Sequence, residues 1–333
     1  MEEKASDISG IPASESISTR KPFPLVTAEI TLFLFSLISF CVTPAAKNLL
    51  LTKACYEKFN DMDYCSNTSN SDIGQDDYVQ DRVAKYNMYS NVGNLVPSGI
   101  AVIFAGSWGD NFGRKLPLLI PPFGMAISSI VYMLFAIYLK DAPIWMHVVA
   151  NIASGITGGE LVAISASFCY VISISNAKYR IIRLSILEGM IIVPAMIGPL
   201  ISEALKVRFG NYPTFILCIV LSAVTLLYNV LFLIEIKPDD AKEKTLKNLL
   251  NIRHFIDSGK VLIRPRPNNR RKYILLTLLA LCLHFFAANG RPNKRGSQRR
   301  FQSSWLQRYS SLEYIIQADE GFCLPCMLFG VGS

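Results

Sequence analysis

Among the ionisable residues inside long apolar stretches of this 333-residue chain, three are candidates for chemistry: Glu160, Glu188 and His284. At the centre of a membrane-spanning helix such a residue costs ~2.5–3.5 kcal/mol, so it needs a partner or a water-lined cavity. A carboxyl held away from bulk water can load and release a proton near neutral pH, which makes proton carriage the chemistry on offer. A helix-end or snorkelling position is the plainer reading of each. Glu29 sits so near the start of the first apolar run that it reads as interfacial.

The cysteines divide by setting. Cys41, Cys169, Cys218 and Cys282 fall inside apolar runs and read as packing residues. Cys55 and Cys65 share a polar stretch and can pair if that stretch faces an oxidising compartment. Cys323 and Cys326 form a C-x-x-C near the end, two thiolates being half of a tetrahedral zinc site. No nucleophile with its base, phosphate-binding loop or hydrolytic carboxylate pair accompanies them, so no enzyme is expected.

The elements that must position these residues are long and apolar. Only 17% of residues are charged, the mean hydropathy is +0.33, and the charges are segregated between stretches that carry almost none. Apolar runs at about 25–46, 86–106, 115–139, 144–172, 184–206 and 212–236 each provide the ~20 residues a helix needs to cross a bilayer. They lack the alternation of a strand, which leaves helix as the spanning solution. The spacing predicts an all-α membrane protein.

Basic residues set the orientation. Arg20 and Lys21, Arg114 and Lys115, Lys178, Arg180 and Arg183, and the Lys/Arg-rich segment 237–272 all fall on one side, predicted to be cytosolic. The net charge of +8 is explained by this topology rather than by nucleic-acid binding. Residues 1–24 are polar and Ser-rich and read as a disordered cytosolic tail. Segment 237–272 reads as a basic cytosolic linker, in which 245–256 is either an amphipathic surface helix or solvated chain. The opposite side holds the acidic loop 47–85, with a glycosylation sequon at Asn67 beside Cys55 and Cys65. Gly155, Gly158 and Gly159 are expected to permit close helix packing, and Gly198-Pro199 to bend span five.

Between spans two and three the chain reads Gly106-Ser-Trp-Gly-Asp110-Asn111-Phe-Gly113-Arg114-Lys115. This resembles the loop signature G-x-x-x-D-R/K-x-G-R-R/K of the major facilitator superfamily, with Asn111 where a cation is usual. The glycines suit a tight turn, the aspartate a cap or charge pair at the cytosolic gate, and the basic pair anchors the loop. Gly155-Ile-Thr-Gly158-Gly159 and Arg180…Arg183 followed by Leu187-Glu188-Gly189 extend the resemblance to the proton-coupled folate transporter (heme carrier-like) family over about 25–288, with Ser173 where relatives carry an aspartate. The resemblance implies a six-helix N-terminal bundle, a proton as coupling ion, no other cofactor, and a folate-like organic anion as solute. It places Glu188 at the proton-coupling carboxylate, Glu160 and His284 near further ionisable positions of the pathway, and Arg183 beside them. It also implies a plasma or lysosomal membrane.

After the basic linker a seventh run, 273–288, is short and is followed at once by Arg291, Lys294, Arg295, Arg299 and Arg300. If it spans, these residues lie on the outer side, against the positive-inside rule, so a partial, marginally inserted helix is expected. Residues 289–333 resemble a truncated TTF-type zinc finger of hAT-family transposases, through Phe301…Trp305-Leu306…Tyr309, Leu312…Tyr314 and Asp319…Phe322-Cys323-Leu-Pro-Cys326…Phe329. With two ligands such a finger is expected to be only partly ordered. Three functions compete: a proton-coupled transporter working with a homo-oligomeric or separate partner half, a non-transporting chimeric membrane protein, and, least favoured, nucleic-acid binding through the finger.

Overall fold

The computed structural model describes residues 27–66, 76–210 and 212–236, together with Leu276, Leu279 and Leu283, and the backbone alone of residues 110–112, 177 and 178. The N-terminal tail, Asn67, the basic linker, His284, Cys323 and Cys326 lie outside the described residues. So does the seventh run apart from its three leucines, which are helical and exposed.

Among the described residues every regular element is a helix: α1 (Ala28–Phe59), α2 (Met62–Ser66), α3 (Asp77–Phe112), α4 (Leu116–Ile137), α5 (Met146–Ile156), α6 (Gly159–Ile174), α7 (Ala177–Phe209) and α8 (Pro213–Phe232). Six spans among the described residues are long and apolar enough to cross a membrane, α5 and α6 together forming the fourth. α1 is the central helix: it packs against α3, α4, α6, α7 and α8, most extensively α7. The core gathers where α1 meets α4 and α8, around Phe35, Ile38, Tyr132, Phe135 and Phe215, with Tyr132 stacked on Phe215 at 5.4 Å.

The sequence boundaries are corrected in two places. First, the acidic loop 47–85 is largely helical. α1 runs for 32 residues, about 48 Å at 1.5 Å per residue, well past the ~30 Å hydrocarbon core. Its C-terminal end, α2 and the start of α3 form an ordered cap. The Sγ atoms of Cys55 and Cys65 are bonded, with their Cα atoms 5.7 Å apart. Asp61 Oδ1 accepts from the amides of Asp63 and Tyr64 at the start of α2. Asp76 caps α3 by accepting from the Val79 amide at 3.1 Å and also pairs with Lys58. That lysine holds the Asp76 carboxyl below the usual carboxylate range. The stabilisation is present above that range and is lost only as pH falls through the lowered value. Arg82 pairs with Glu57 at 3.3 Å and lies over the rings of Tyr78 and Tyr86.

Second, the fourth span is broken. Gly158 (φ 85°) and Gly159 (φ 46°) adopt the left-handed conformation that ends α5 and restarts the chain as α6. Of the three glycines expected to serve packing, Gly155 does so: an added Cβ would lie 2.6 Å from the Asn94 carbonyl oxygen on α3. Gly124 brings α4 onto the break in the same way, its Cβ position falling 1.7 Å from Thr157 Oγ1. Gly198, expected to bend span five, lies where α7 meets the backbone of Phe40 and Cys41 on α1.

The exposed faces sort the helices. Every exposed residue of α4, including Phe123, Ile127, Ile130, Leu134 and Ile137, is apolar. The same holds for α8, among them Ile216, Val220, Val224 and Leu227. These faces suit lipid. Exposed polar residues within the spans fall instead on α1, α3, α6 and α7: Thr43 and Lys47, Asn91, Glu160, and Ser185. Replacing Gly155 with Val forces a side chain into the α3 backbone. Overpacking of this kind costs about 1–3 kcal/mol, and a thermal melt of the purified variant is expected to show a Tm several degrees below that of the parent.

Candidate functional site

The site has three levels, and the first is the basic end of the bundle, where the loop signature lies. α3 ends at Gly113 with φ 109°, and an added Cβ would meet Glu235 Oε1 at 3.0 Å and the Ile236 carbonyl at 3.3 Å. Conformation and space both demand glycine there. The Arg114 amide donates to Ile236 O at 3.3 Å, and its Nη1 donates to Cys169 O at 3.0 Å in the last turns of α6. Lys115 Nζ donates to Val230 O at 2.7 Å, near the end of α8. The two cations thus satisfy late carbonyls of two helices, where positive charge is favoured. Gly106 is half-buried on α3, and the side chain of Asp110 lies outside the described residues.

Beside this corner is an ion pair whose acid was read as interfacial. Glu29 is 1% exposed, and its Oε1 accepts from Arg183 Nη2 at 2.7 Å and Nε at 3.1 Å. Its Oε2 accepts from the Thr27 amide at 2.7 Å. The reason for the correction is tertiary: the first turns of α1 and α7 pack together, so an acid and a base that each look interfacial along the chain seal each other from water. Tyr228 Oη donates to Thr27 O and Tyr170 Oη to Ile234 O, binding the ends of α1, α6 and α8 into the same knot. The signal available in sequence was an acid opening the first span on the side that carries every basic loop.

The second level lies near mid-depth. Glu160 opens α6 directly after the glycine break, so the break places a carboxylate at the N-terminus of a half-helix, where negative charge is favoured. Glu160 is exposed and makes no hydrogen bond or ion pair to another described residue. Backbone breaks at membrane depth are tolerated where they line a cavity or are buried in protein. Glu188 lies eleven residues into α7, about 16 Å along it at 1.5 Å per residue. It is half-buried and engaged in an interaction of its own.

The third level, toward the disulfide end, was missed because Lys47 was assigned to a loop. It lies instead on α1, where it is exposed between the half-buried Pro44 and Leu51. The apolar run Leu49-Leu50-Leu51 beyond it was the signal that the helix continues. His147, on the first turn of α5, is 3% exposed and its Nδ1 has no hydrogen-bond partner among the described residues. Lys47 lies within electrostatic reach of that imidazole. Lys53, two turns further on, is committed: its Nζ donates to the carbonyls of Leu139 and Lys140 at 2.9 and 3.1 Å, closing the end of α4.

The chain matches the Major Facilitator Superfamily over residues 86–318. It belongs to that superfamily. As a member with six apolar helices it is a multi-pass membrane protein. It is 26% identical to the proton-coupled folate transporter of Bos taurus, over 66% of this chain and 46% of that protein. It is 24% identical to the lysosomal proton-coupled steroid conjugate and bile acid symporter SLC46A3 of Rattus norvegicus, over 67% of this chain and 49% of that one. The chain therefore spans about half the length of the curated relatives it matches. Among solved structures it is similar to the human organic anion transporter MFSD10, with a TM-score of 0.49 and 17% identity, over 74% of this chain and 58% of that one. The superfamily match continues beyond the sixth span and into the segment that resembles a zinc finger.

Truncating Arg183 to Ala leaves Glu29 charged and buried. Breaking a buried pair from one side costs about 3–5 kcal/mol, whereas removing both charges is often close to neutral. Arg183→Ala is expected to lower the midpoint of thermal unfolding in detergent, and the double variant Glu29→Gln/Arg183→Gln to recover most of the loss.

Proposed function

We propose that the chain is the N-terminal bundle of a proton-coupled transporter of an organic anion. The observation that carries this reading is a carboxylate, Glu160, opening a half-helix at a break in mid-membrane, with a second acid, Glu188, at mid-depth on another pathway-side helix. An acid there is tolerated beside a water-filled route and can hold or release a proton as that route opens to either side. Relatives named as a proton-coupled folate transporter and a proton-coupled steroid conjugate and bile acid symporter support the same chemistry. Glu188 is the proton carrier, Glu160 the second acid of the route, and His284 a further candidate from the seventh run. The Gly113–Lys115 corner and the Glu29–Arg183 pair hold the bundle end that gates access. That end faces the cytosol with the N-terminus, and the membrane is plasma or lysosomal.

The large exposed faces of α3 and α7 support a second six-helix bundle, in another copy or another chain, as the opposite wall of the route. Expressed in cells, the chain is expected to take up labelled folate or taurocholate faster at external pH 5.5 than at pH 7.4. Glu188→Gln is expected to remove the pH dependence and at least nine-tenths of the uptake. Uptake equal in the variant and the parent would overturn the role of Glu188.

A chimeric tail is a separate reading, carried by Cys323 and Cys326 and their flanking aromatic pattern. Two thiolates alone hold zinc weakly. Elemental analysis of the purified chain is expected to find well under one zinc per molecule, and stoichiometric zinc lost on Cys323→Ser would instead establish a complete site.

A further inference from the structure

The glycine break in the fourth span sets where Glu160 stands, so whatever fixes the break also fixes the acid. α5 ends at Ile156, the chain turns through Gly158 and Gly159, and Glu160 follows in the first turn of α6. Two glycines do not hold such a turn by themselves, because glycine has the widest choice of backbone conformation. A brace from outside the span is required.

α3 supplies it through one side chain. Asn94 is half-buried on α3, in an apolar stretch where a carboxamide needs a hydrogen-bond partner. Its Nδ2 donates to Asn151 O on α5 at 3.1 Å, a cross-helix bond of the kind that joins helices in membranes. The same nitrogen is 3.9 Å from the point where a Cβ on Gly159 would stand, so it lies against the residue before Glu160. The backbone here is pinned as well. A Cβ on Gly155 would come within 2.9 Å of Asn94 Cα, and one on Gly93 within 2.8 Å of Ile152 Cγ1 on α5. About two turns further along α3, Ala101 closes the other side, its Cβ 3.4 Å from the Cβ position of Gly158. α5 is tied onward by Asn151 Nδ2, which donates to Tyr132 Oη on α4 at 2.6 Å. α3 therefore bridges the break, with Asn94 bonded to the helix before it and set against the glycine that opens the helix after it.

We propose that Asn94 is a positioning residue for Glu160: its hydrogen bond to Asn151 holds the break in one shape and keeps the carboxyl at a fixed depth in the membrane. The assignment deepens the transport reading and rests on it for proton exchange at Glu160, but the placement of the carboxyl is measurable without transport. When the bond is lost, the first turn of α6 is free to unwind at the two glycines. The carboxylate then moves toward bulk water, where its charge is favoured. Leucine fills the place of asparagine without a donor, alanine removes the side chain, and glutamine keeps the carboxamide.

The test is labelling by dicyclohexylcarbodiimide, a lipid-soluble reagent that captures un-ionised carboxyls. It is applied at pH 6 to the purified full chain in lipid nanodiscs, for the parent, Asn94→Leu, Asn94→Ala and Asn94→Gln, and the modified residues are quantified by peptide mass spectrometry. Each variant is first checked for monodispersity and Tm, and Asn94→Ala carries the test if Asn94→Leu does not fold. Labelling of Glu160 is expected to fall fivefold or more in the leucine and alanine variants and to stay within twofold of the parent in Asn94→Gln. Glu188, on a helix that packs chiefly on α1, is expected to stay within twofold throughout. Unchanged labelling of Glu160 in Asn94→Leu and Asn94→Ala overturns the assignment. So does an equal loss at Glu188, an equal loss in Asn94→Gln, or a parent that does not label at Glu160. Asn94-dependent labelling without proton-driven uptake sustains the positioning role and defeats the transport reading. Proton-driven uptake with labelling indifferent to Asn94 does the reverse.

Discussion

Hydrocarbon does not solvate charge, and that constraint orders the whole bundle. Each ionisable group within reach of the membrane must meet a counter-charge, a helix-end carbonyl or a water-lined surface. All three solutions occur here at different depths. Glu29 meets Arg183, Lys53 meets the carbonyls that end α4, and Glu160 stands exposed at the head of α6. The uninterrupted apolar surfaces of α4 and α8 are the complement of that arrangement.

The two ends are tied more tightly than the middle. At the basic end, side chains from α1, α7 and the Gly113–Lys115 corner are bonded to one another or to late carbonyls of α6 and α8. At the other end a disulfide, two ion pairs and helix caps hold α1, α2 and α3. Between them the fourth span gives up its helix at Gly158-Gly159. The break falls next to Glu160, so the irregular backbone and one candidate acid coincide. Gly155 and Gly124 pack tightly around the break, which confines its irregular backbone to one position.

Much of this was legible along the chain, because membrane insertion acts on local composition. The six spans, the loop signature, the acids Glu160 and Glu188 and the proximity of Cys55 to Cys65 follow from runs and spacings that a single strip of sequence displays. The misreadings share another cause. Glu29 looked interfacial because its partner is 154 residues away. Lys47 and the stretch beyond it looked like loop because a polar composition does not show that a helix continues past the bilayer. The glycines of the fourth span looked like packing residues alike, although only the backbone distinguishes Gly155, in helix, from the left-handed pair that follows.

What the sequence by itself determined is which segments enter lipid and which residues are chemically able to carry protons or bind anions, since transfer free energy and side-chain type belong to each residue in its local run. What only the tertiary structure decided is which of those residues are spent on holding helices together and which remain turned to the route. That division depends on helix faces and on partners far apart in the chain, and neither quantity exists until the helices have packed.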